Sequence, residues 1–357
     1  MRQALLTLVV VGLVCTAGCV DVIDDINGIE TDDAEDQTDR DDTVDDGNAD
    51  DAGTDVDGEL EIHHIDVGQA DATLVVTPAD ETILIDTGDW RQDGTGVIEY
   101  LEAHDVDRID HLVATHGHAD HIGGHAAIIE HYETELDGIG AAYDSGVAHT
   151  SQTYDGYLDA VEAHDVELFV VEAGDELPIA DAATGATVHN PPSDTSGGDL
   201  HGNSVALTID FGDVTYLTTG DAERAAEERM LEERGDELDA DVYQAGHHGS
   251  STSSTPAFMD AVDPNIAVIS SGFDSQYGHP GDDVLERFAD HGVETYWTGV
   301  HGDVVVTTDG ESIDVTTSEE APTDPAALLE SKPSGDDDEA DAIDTGVIPS
   351  PHAEATS

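Results

Sequence analysis

Basic residues are nearly absent from this 357-residue chain. Lys332 is its single lysine, and lysine and arginine together number 9 against 83 aspartates and glutamates, which gives a formal net charge of −74 at pH 7. Proteins that grip the backbone of nucleic acids do so with clusters of lysine and arginine. The composition therefore excludes an ordinary basic nucleic-acid-binding surface.

Aromatic residues are also scarce, at 4% of the chain. High net charge with few aromatics is typical of intrinsic disorder, because such a chain buries little apolar surface. The acids are unevenly spread, however. Residues 20–58 hold 17 acids and one arginine, residues 318–357 hold 11 acids and one lysine, and apolar runs lie between these flanks. We expect an acidic disordered tether over 19–58, one folded domain over 59–317 and an acidic disordered tail over 318–357.

The predicted domain is itself acidic, with 55 acids against 6 arginines over 59–317. Such a domain repels itself in dilute buffer, whereas molar salt shortens the Debye length to about 3 Å and screens that repulsion. The composition is typical of proteins adapted to molar salt, and we interpret the chain as a haloarchaeal-type secreted protein.

The N-terminus indicates export. Arg2 precedes an apolar stretch over 4–14, which is shorter than the roughly 20 residues that span a bilayer, so we interpret 1–18 as a signal peptide. Thr16-Ala17-Gly18-Cys19 resembles the lipobox of secreted lipoproteins, which implies a lipid on Cys19 that anchors the protein to the outer face of the cell membrane. The alternative is a signal peptide with a coincidental cysteine. Cleavage before Cys19 removes Cys15, the other cysteine, and leaves no disulfide pair.

Short β-like runs alternate with helical stretches along the domain, which favours an α/β fold of two sheets between helical layers. Strands are predicted over 59–66, 73–77, 82–86, 111–115, 186–189, 204–210, 214–218, 240–244, 266–270, 294–297, 303–307 and 312–315. Helices are predicted over 95–104, 122–132, 151–164, 221–234, 256–262 and 282–291.

One loop after a predicted strand concentrates metal-binding side chains. His116, His118, Asp120 and His121 lie within six positions. Imidazole and carboxylate are the ligands that borderline divalent metals prefer, and the spacing lets the side chains face two neighbouring sites. The alternative is a chance cluster of surface histidines in a chain that has 19 of them. We predict a metal site here.

These four residues match the HxHxDH signature of the metallo-β-lactamase superfamily, which the chain resembles. The resemblance implies a four-layer αβ/βα sandwich with two divalent metal ions, Zn²⁺ or Mn²⁺, at one edge of the sheets. It further implies that Asp221 in Thr218-Thr219-Gly220-Asp221 bridges both metals and that His247 is the last ligand of the second metal. A solvent-facing Asp221 at a helix N-cap is the alternative.

Two more positions follow from the same resemblance. His201 lies 20 residues before Asp221, where the superfamily usually places the third histidine of the first metal; a polar loop histidine is the alternative. Asp86 is similar to the superfamily's buried aspartate that orients a ligand loop through hydrogen bonds.

A narrower resemblance is to the ComEC branch, which includes the hydrolase domain of the competence DNA-uptake channel. It depends on five blocks in order: 64–71, 84–88, 203–204, 247–250 and 277–280. Ala70 replaces a common glycine of that branch, and Ser251 replaces a common basic residue. Since no hydrophobic segment that could form the channel is present, we do not expect this chain to be the DNA pore.

Two metal ions that share a hydroxide lower its pKa and deliver it as a nucleophile, so the predicted ligands favour a hydrolase. Asp120 counts as both a ligand and a catalytic residue. His248 and His279 are candidates for leaving-group protonation or oxyanion contact, and structural roles for them are the alternative.

The ComEC resemblance implies a phosphodiester substrate, such as DNA, cut at the cell surface. With few basic residues, substrate contacts would depend on the metals and on hydroxyl donors such as those of residues 250–254; a polar loop that caps the next helix is the alternative. Two other functions stay open: a carbonyl hydrolase acting on a lactone, lactam or thioester, and a non-catalytic metal-binding surface lipoprotein. The oligomeric state is not predicted.

Overall fold

The computed structural model describes residues 56–195 and 198–333. The predicted signal peptide, Cys19, nearly all of the acidic tether and residues 334–357 lie outside the described residues. None of the helices in the described part of the chain has both the length and the apolar character needed to cross a bilayer.

The described chain alternates strands and helices as the sequence predicts. The strands are β1 (Leu60–His64), β2 (Thr73–Val76), β3 (Thr82–Ile85), β4 (Ile109–Val113), β5 (Ile139–Asp144), β6 (Leu168–Val170), β7 (Thr184–Asn190), β8 (Ala206–Phe211), β9 (Val214–Thr218), β10 (Val242–Gln244), β11 (Ile266–Ile269), β12 (Glu294–Trp297), β13 (Val304–Thr308) and β14 (Ile313–Thr317). The helices are α1 (Thr95–Ala103), α2 (His125–Glu135), α3 (Gln152–His164), α4 (Arg224–Arg234), α5 (Gly246–Gly249), α6 (Pro256–Val262), α7 (Asp282–His291), α8 (Thr298–His301) and α9 (Pro325–Ser331).

The strands form two sheets. The first has eight strands in the order β14-β13-β1-β2-β3-β4-β5-β6, and the second has six in the order β12-β11-β10-β9-β8-β7. Strands β3 to β6 run parallel, as do β9 to β12. The carboxyl ends of parallel strands meet at one edge of a sheet, and loops at that edge commonly carry function.

The molecule has four layers, two sheets and a layer of helices on the outer face of each, and a hydrophobic cluster lies between each pair of neighbouring layers. One lies between the sheets and includes Ile62, Leu207 and Tyr216. A second packs α1, α2 and α3 on the first sheet, and a third packs α4, α6 and α7 on the second. Side chains alternate along a strand, so each sheet is buried on both faces. This is the αβ/βα sandwich expected from the sequence.

Two strands were not predicted. Strand β5 begins with Ile139 and continues with Gly140, Ala141 and Ala142, so three small residues interrupt the run of β-branched and aromatic residues by which strands are recognised. Strand β6 has only three residues and lies at the edge of its sheet. Helices α2 and α4 each begin three residues later than predicted. Helix α2 starts at His125 because Gly123 packs on the Trp90 backbone, where an added Cβ would lie 2.1 Å from the Trp90 nitrogen.

The tail predicted over 318–357 is corrected for residues 318–333, which are structured. Asp324 caps helix α9, whose second half buries Leu328 with the residues of α7. Lys332, just after the helix, donates hydrogen bonds to the Gly278 and Pro280 carbonyls and pairs with Asp282. The Ala-Ala-Leu-Leu run within an acidic context supplies enough apolar surface for a helix to dock.

Candidate metal centre

The predicted ligands lie on loops that leave the carboxyl ends of parallel strands. The loop after β4 carries the four residues of the signature, the loop after β9 carries Asp221, and the loop after β10 carries His247 and His248. His201 comes from the connection between β7 and β8. Residues distant in sequence thus meet at one edge of the sandwich.

Asp221 lies at the middle of the cluster and is 2% exposed. Its Oδ2 is 3.5 Å from His116 Nε2 and 3.8 Å from His201 Nε2. Its Oδ1 is 3.1 Å from His121 Nε2 and 3.8 Å from His248 Nε2. The two carboxylate oxygens therefore face two different groups of candidate ligands. Helix α4 begins at Arg224, so the alternative in which Asp221 is a solvent-facing N-cap is wrong.

The sharp turn before Asp221 depends on Gly220 and Ser204. Gly220 has φ of +49°, and an added Cβ would lie 2.4 Å from Ser204 Oγ and 2.7 Å from Thr115 Cβ. The Asp221 backbone N–H donates to Ser204 Oγ at 3.0 Å. The Asn203-Ser204 block thus positions the central carboxylate.

The first ligand group comprises His116, His118, His201 and Asp221, with ligand atoms within 4.8 Å of one another. His116 Nε2 and His118 Nδ1 are 2.8 Å apart. The structure therefore brings His201 into the same group as His116 and His118, and its role as the third histidine of the first metal stays a prediction.

The second group comprises Asp120, His121 and His248. Here the placement departs from the sequence prediction, which assigned His247 as the last ligand of the second metal. His248 Nε2 is 3.5 Å from Asp120 Oδ2, whereas His247 Nε2 approaches Asp221 Oδ2 at 3.4 Å, the oxygen that faces the first group. Both residues have left-handed backbone conformations, with φ of +51° and +57°, and the sharp turn directs their rings to different sides.

Three buried atoms at this centre find no hydrogen-bond partner within the described residues: Asp221 Oδ1, His121 Nε2 and His248 Nε2. Buried polar atoms are nearly always satisfied, and unsatisfied ones require an explanation such as an ion. Two imidazole nitrogens and a carboxylate oxygen are the donors that borderline divalent ions prefer. The residues therefore fit the divalent ion that the sequence implies.

Neighbouring groups fix the direction of these rings. His121 Nδ1–H donates to Asp86 Oδ2 at 2.6 Å, and the Thr115 backbone N–H donates to Asp86 Oδ1 at 2.9 Å. His248 Nδ1–H donates to the Ser270 carbonyl at 3.0 Å. Each ring thus directs its Nε2 toward Asp221, as is usual for metal-binding histidines. Asp86 makes the contacts expected from the sequence.

The electrostatics of the cluster are strongly coupled. Burial opposes charge on Asp221, yet His121, His248 and His116 hold the pKa of its carboxyl well below the usual value. Burial also opposes charge on His121, but Asp221 and Asp86 raise its pKa well above the usual value. Burial and His201 lower the pKa of His118 to about 4, which keeps that ring neutral, as a ligand must be, near pH 7.

Glu223 is a polar neighbour that the sequence analysis missed. Its Oε1 is 3.4 Å from Nδ1 of His201 and 3.4 Å from Nδ1 of His247. The three form a further group of potential ligands. Its position two residues after Asp221, in the same strand-to-helix loop, is the sequence feature by which it could have been found.

His279 lies beside the centre but in neither ligand group. Its ring centroid is 5.8 Å from that of His247 and 6.3 Å from that of His248, and Gln69 Nε2 lies 3.4 Å from its Nδ1. Burial, followed by His248 and His247, lowers the pKa of His279 to about 4. The structure thus brings His279 to the site, where its predicted catalytic role stays a prediction.

The hydroxyl donors predicted over 250–254 are mostly unavailable to a substrate. Ser253 Oγ donates to the Ala222 carbonyl, and Ser254 Oγ bonds to the Tyr243 hydroxyl, both in the interior. Ser251 and Thr252 are exposed. The buried serines therefore anchor the loop on the segment before α4 and on β10. This corrects the expectation that they are hydroxyl donors to a substrate.

A buried polar network lies beneath the centre and was also missed. Gln244 Nε2 donates to Asp71 Oδ1 at 2.5 Å, and the Tyr216 hydroxyl donates to Gln244 Oε1 at 2.6 Å. Asp71 is the last residue of the 64–71 block of the ComEC resemblance. The sequence alone suggests no role for it, and the structure shows that it accepts this hydrogen bond. The network joins the β1–β2 loop of one sheet to β9 and β10 of the other.

Comparisons with known proteins agree with this geometry. A family model described as the metallo-β-lactamase superfamily matches residues 65–272. Competence protein ComA of Neisseria gonorrhoeae is 31% identical over 66% of this chain and 30% of its own length. ComE operon protein 3 of Bacillus subtilis is 28% identical over 69% of this chain and 33% of its own length. The chain thus spans about a third of these curated relatives.

Among solved structures, the metallo-β-lactamase fold protein YhfI from Bacillus subtilis superposes with a TM-score of 0.43 at 12% identity. That superposition covers 68% of this chain and 97% of the other.

Proposed function

The chain belongs to the metallo-β-lactamase superfamily, and from this premise we propose that it is a metal-dependent hydrolase that cleaves phosphodiester bonds. The similarity to competence protein ComA and to ComE operon protein 3, each matched over about a third of its length, supports the ComEC resemblance from which the substrate class is taken. The acidic composition means that contacts other than lysine clusters hold the substrate.

One observation carries the proposal. Asp221 Oδ1, His121 Nε2 and His248 Nε2 are buried and lack hydrogen-bond partners in the described chain. Asp221 Oδ1 and His121 Nε2 face each other as an ion pair at 3.1 Å, but the three buried atoms make no hydrogen bond of good geometry to any described residue, and a divalent ion would satisfy all of them. A protein that needed the centre only for packing would gain stability from apolar residues in these places.

We propose that the centre holds two divalent ions, Zn²⁺ or Mn²⁺. His116, His118, His201 and Asp221 would hold one, and Asp120, His121, His248 and Asp221 would hold the other. Such ions supply a hydroxide nucleophile near neutral pH and stabilise charge that develops on the substrate.

The protein's own residues determine orientation and access. Asp86 accepts a hydrogen bond from the Nδ1–H of His121, which leaves Nε2 as the nitrogen that can bind an ion, and the Ser270 carbonyl does the same for His248. The Asp120 side chain is 33% exposed and faces the solvent side of the centre. A substrate can therefore reach Asp120, while Asp221 stays buried.

We also propose that the protein is secreted and held at the outer face of the cell membrane by a lipid on Cys19. The support is the signal-like segment 1–18 with its lipobox. Mass spectrometry of the membrane fraction tests this directly. A lipid-modified peptide beginning at Cys19 is expected, and a mature protein that starts elsewhere without lipid would contradict it.

Hydrolysis assays in 2 to 3 M KCl with Mn²⁺ or Zn²⁺ test the function. Bis-p-nitrophenyl phosphate and labelled single-stranded DNA are compared with a lactone and a β-lactam, using the full chain. We expect cleavage of the phosphodiesters, lost with EDTA and in Asp120→Ala. Opening of the lactone or lactam alone would overturn the phosphodiesterase proposal in favour of a carbonyl hydrolase.

A further inference from the structure

A groove of about 420 Å³ opens beside the second ligand group. Asp120 and Ala119 of the signature loop line it, together with Trp90, Arg91 and Tyr277. Gln69, Gln92 and Gln276 also line the groove; Gln69 Nε2 lies 3.4 Å from His279 Nδ1, and Gln92 Nε2 donates to the Val67 carbonyl. It combines flat aromatic surfaces with neutral hydrogen-bonding groups.

Exposed aromatic rings are rare on this protein. Five large hydrophobic side chains are exposed in the described chain, and two of them, Trp90 at 51% and Tyr277 at 63%, line this groove. Such rings cost free energy in water and, when grouped, mark binding sites. Neither ring belongs to the hydrophobic clusters that hold the fold together.

Both aromatic residues lie next to the candidate metal centre. The Trp90 backbone N–H donates to the Ala119 carbonyl at 2.9 Å, which places Trp90 next to Asp120. The Arg91 guanidinium lies over the Trp90 ring at 4.8 Å and pairs with Asp89. The centroid of the Tyr277 ring is 5.7 Å from that of the His279 ring, and the His279 ring is 6.3 Å from the ring of His248 in the second group.

The charge of the surroundings indicates what kind of ligand fits. Asp89 and Asp120 line the groove together with a single basic residue, Arg91, so a backbone of phosphates gains little attraction there. Stacking on an aromatic ring, by contrast, uses the flat face of a base and accepts any base. Side-chain amides can bond the edges of a base without charge.

We propose that this groove is a subsite for an unpaired nucleobase, which stacks on Trp90 and Tyr277 beside the bond to be cleaved. The choice of a nucleobase rests on the proposed phosphodiesterase function. In this account, aromatic stacking replaces the lysine contacts that the sequence lacks. The substrate is then single-stranded, because bases in a duplex do not present free faces.

Tryptophan fluorescence tests the subsite, since the chain has two tryptophans and Trp297 is fully buried. Zn²⁺-loaded full chain in 2 M KCl is titrated with a phosphorothioate-linked thymidine oligonucleotide, which resists hydrolysis. An abasic oligonucleotide of equal length and charge is the comparison. We expect quenching by the first and little by the second. Equal quenching by both, or none by either, would overturn the proposal.

Binding of a fluorescein-labelled oligonucleotide then compares variants. We expect Trp90→Ala and Tyr277→Ala each to weaken binding about tenfold, the loss typical for one stacked base. Trp90→Phe keeps a ring and should retain most of the affinity, which guards against a folding defect. Phe169→Ala removes a ring that is 46% exposed outside the groove and is the matched control. Equal losses in Phe169→Ala and Trp90→Ala would contradict the subsite.

The outcomes separate this subsite from the proposed hydrolase. Base-dependent quenching without cleavage of bis-p-nitrophenyl phosphate would keep the subsite and overturn the hydrolase. Cleavage without base-dependent quenching would do the reverse.

Discussion

Individual hydrogen bonds decide which ring nitrogens face the centre. Asp86 accepts a hydrogen bond from the Nδ1–H of His121, and the Ser270 carbonyl accepts one from the Nδ1–H of His248, so both Nε2 atoms point at Asp221. Sequence alone identified the histidines but not these directions. His247 and His248 are adjacent and chemically identical, and only their left-handed backbone conformations determine which ring joins Asp120 and His121.

The two histidines can be told apart by metal binding. We expect His248→Ala to weaken binding of the second equivalent of Zn²⁺ by at least tenfold, because a buried Nε2 of the second group is lost. His247→Ala should leave that equivalent nearly unchanged, since its ring lies on the other side of Asp221. Isothermal titration calorimetry measures both, and the opposite order of losses would favour the assignment made from sequence.

His64 provides a test of acid stability away from the ligand groups. It is buried between the sheets against Tyr216, and burial lowers its pKa to about 3. In the unfolded chain its pKa is near 6.5, so the unfolded state binds the proton first as pH falls. The stability contributed by neutral His64 is therefore complete above pH 6.5 and is lost as pH falls from 6.5 toward 3, by about 1.4 kcal/mol per pH unit.

Urea unfolding between pH 7 and 5 measures this loss. His64→Gln cannot take up the proton and should flatten the dependence on pH. Unfolding free energies that decline equally in both proteins would show that His64 does not titrate on unfolding.

At the level of elements, strongly patterned segments were predictable and context-dependent ones were not. Strands β8 and β9 and helices α3 and α7 have the alternation or periodicity that sequence reading detects. Strand β6 and helix α9 are short and depend on neighbours for stability, so their local pattern carries little information. The acidity around α9 also indicated a disordered tail, while its docking depends on contacts 50 residues away.

Lys332 joins α9 to the loop that carries Tyr277 and His279. Its Nζ bonds to two carbonyls of that loop and pairs with Asp282 at the start of α7. We expect Lys332→Met to lower the free energy of unfolding by about 2 kcal/mol, because charged hydrogen bonds of a largely buried amine are lost. Hydrogen exchange at residues 275–281 should rise as well.

Lys332→Arg keeps the charge and is the matched control for that exchange measurement. Unchanged exchange in Lys332→Met would mean that the loop holds its conformation without the lysine.

For the whole molecule, the excess of acidic residues predicts that stability depends on the salt concentration. The region 59–317 contains 55 acids and 6 arginines, and most carboxylates have no basic residue to pair with. At 0.1 M salt the Debye length is about 10 Å, longer than the spacing of neighbouring surface charges, whereas at 1 M it is about 3 Å. Repulsion among surface carboxylates is therefore strong in dilute buffer.

We expect the melting temperature to rise steeply between 0.1 M and 2 M KCl, with destabilisation below about 0.5 M. Differential scanning calorimetry across that range measures it. A melting temperature that stays level from dilute buffer to 3 M KCl would contradict adaptation to salt.

We expect hydrolysis to depend on divalent ions that Asp221 and the two groups of candidate ligands would hold. Turnover of bis-p-nitrophenyl phosphate, measured against the number of Zn²⁺ or Mn²⁺ ions bound per full chain, tests it most directly. We expect turnover to reach its maximum at two ions per chain and to be lost in Asp221→Ala, while circular dichroism shows that the variant stays folded. Full turnover in metal-stripped protein, or in folded Asp221→Ala, would contradict it.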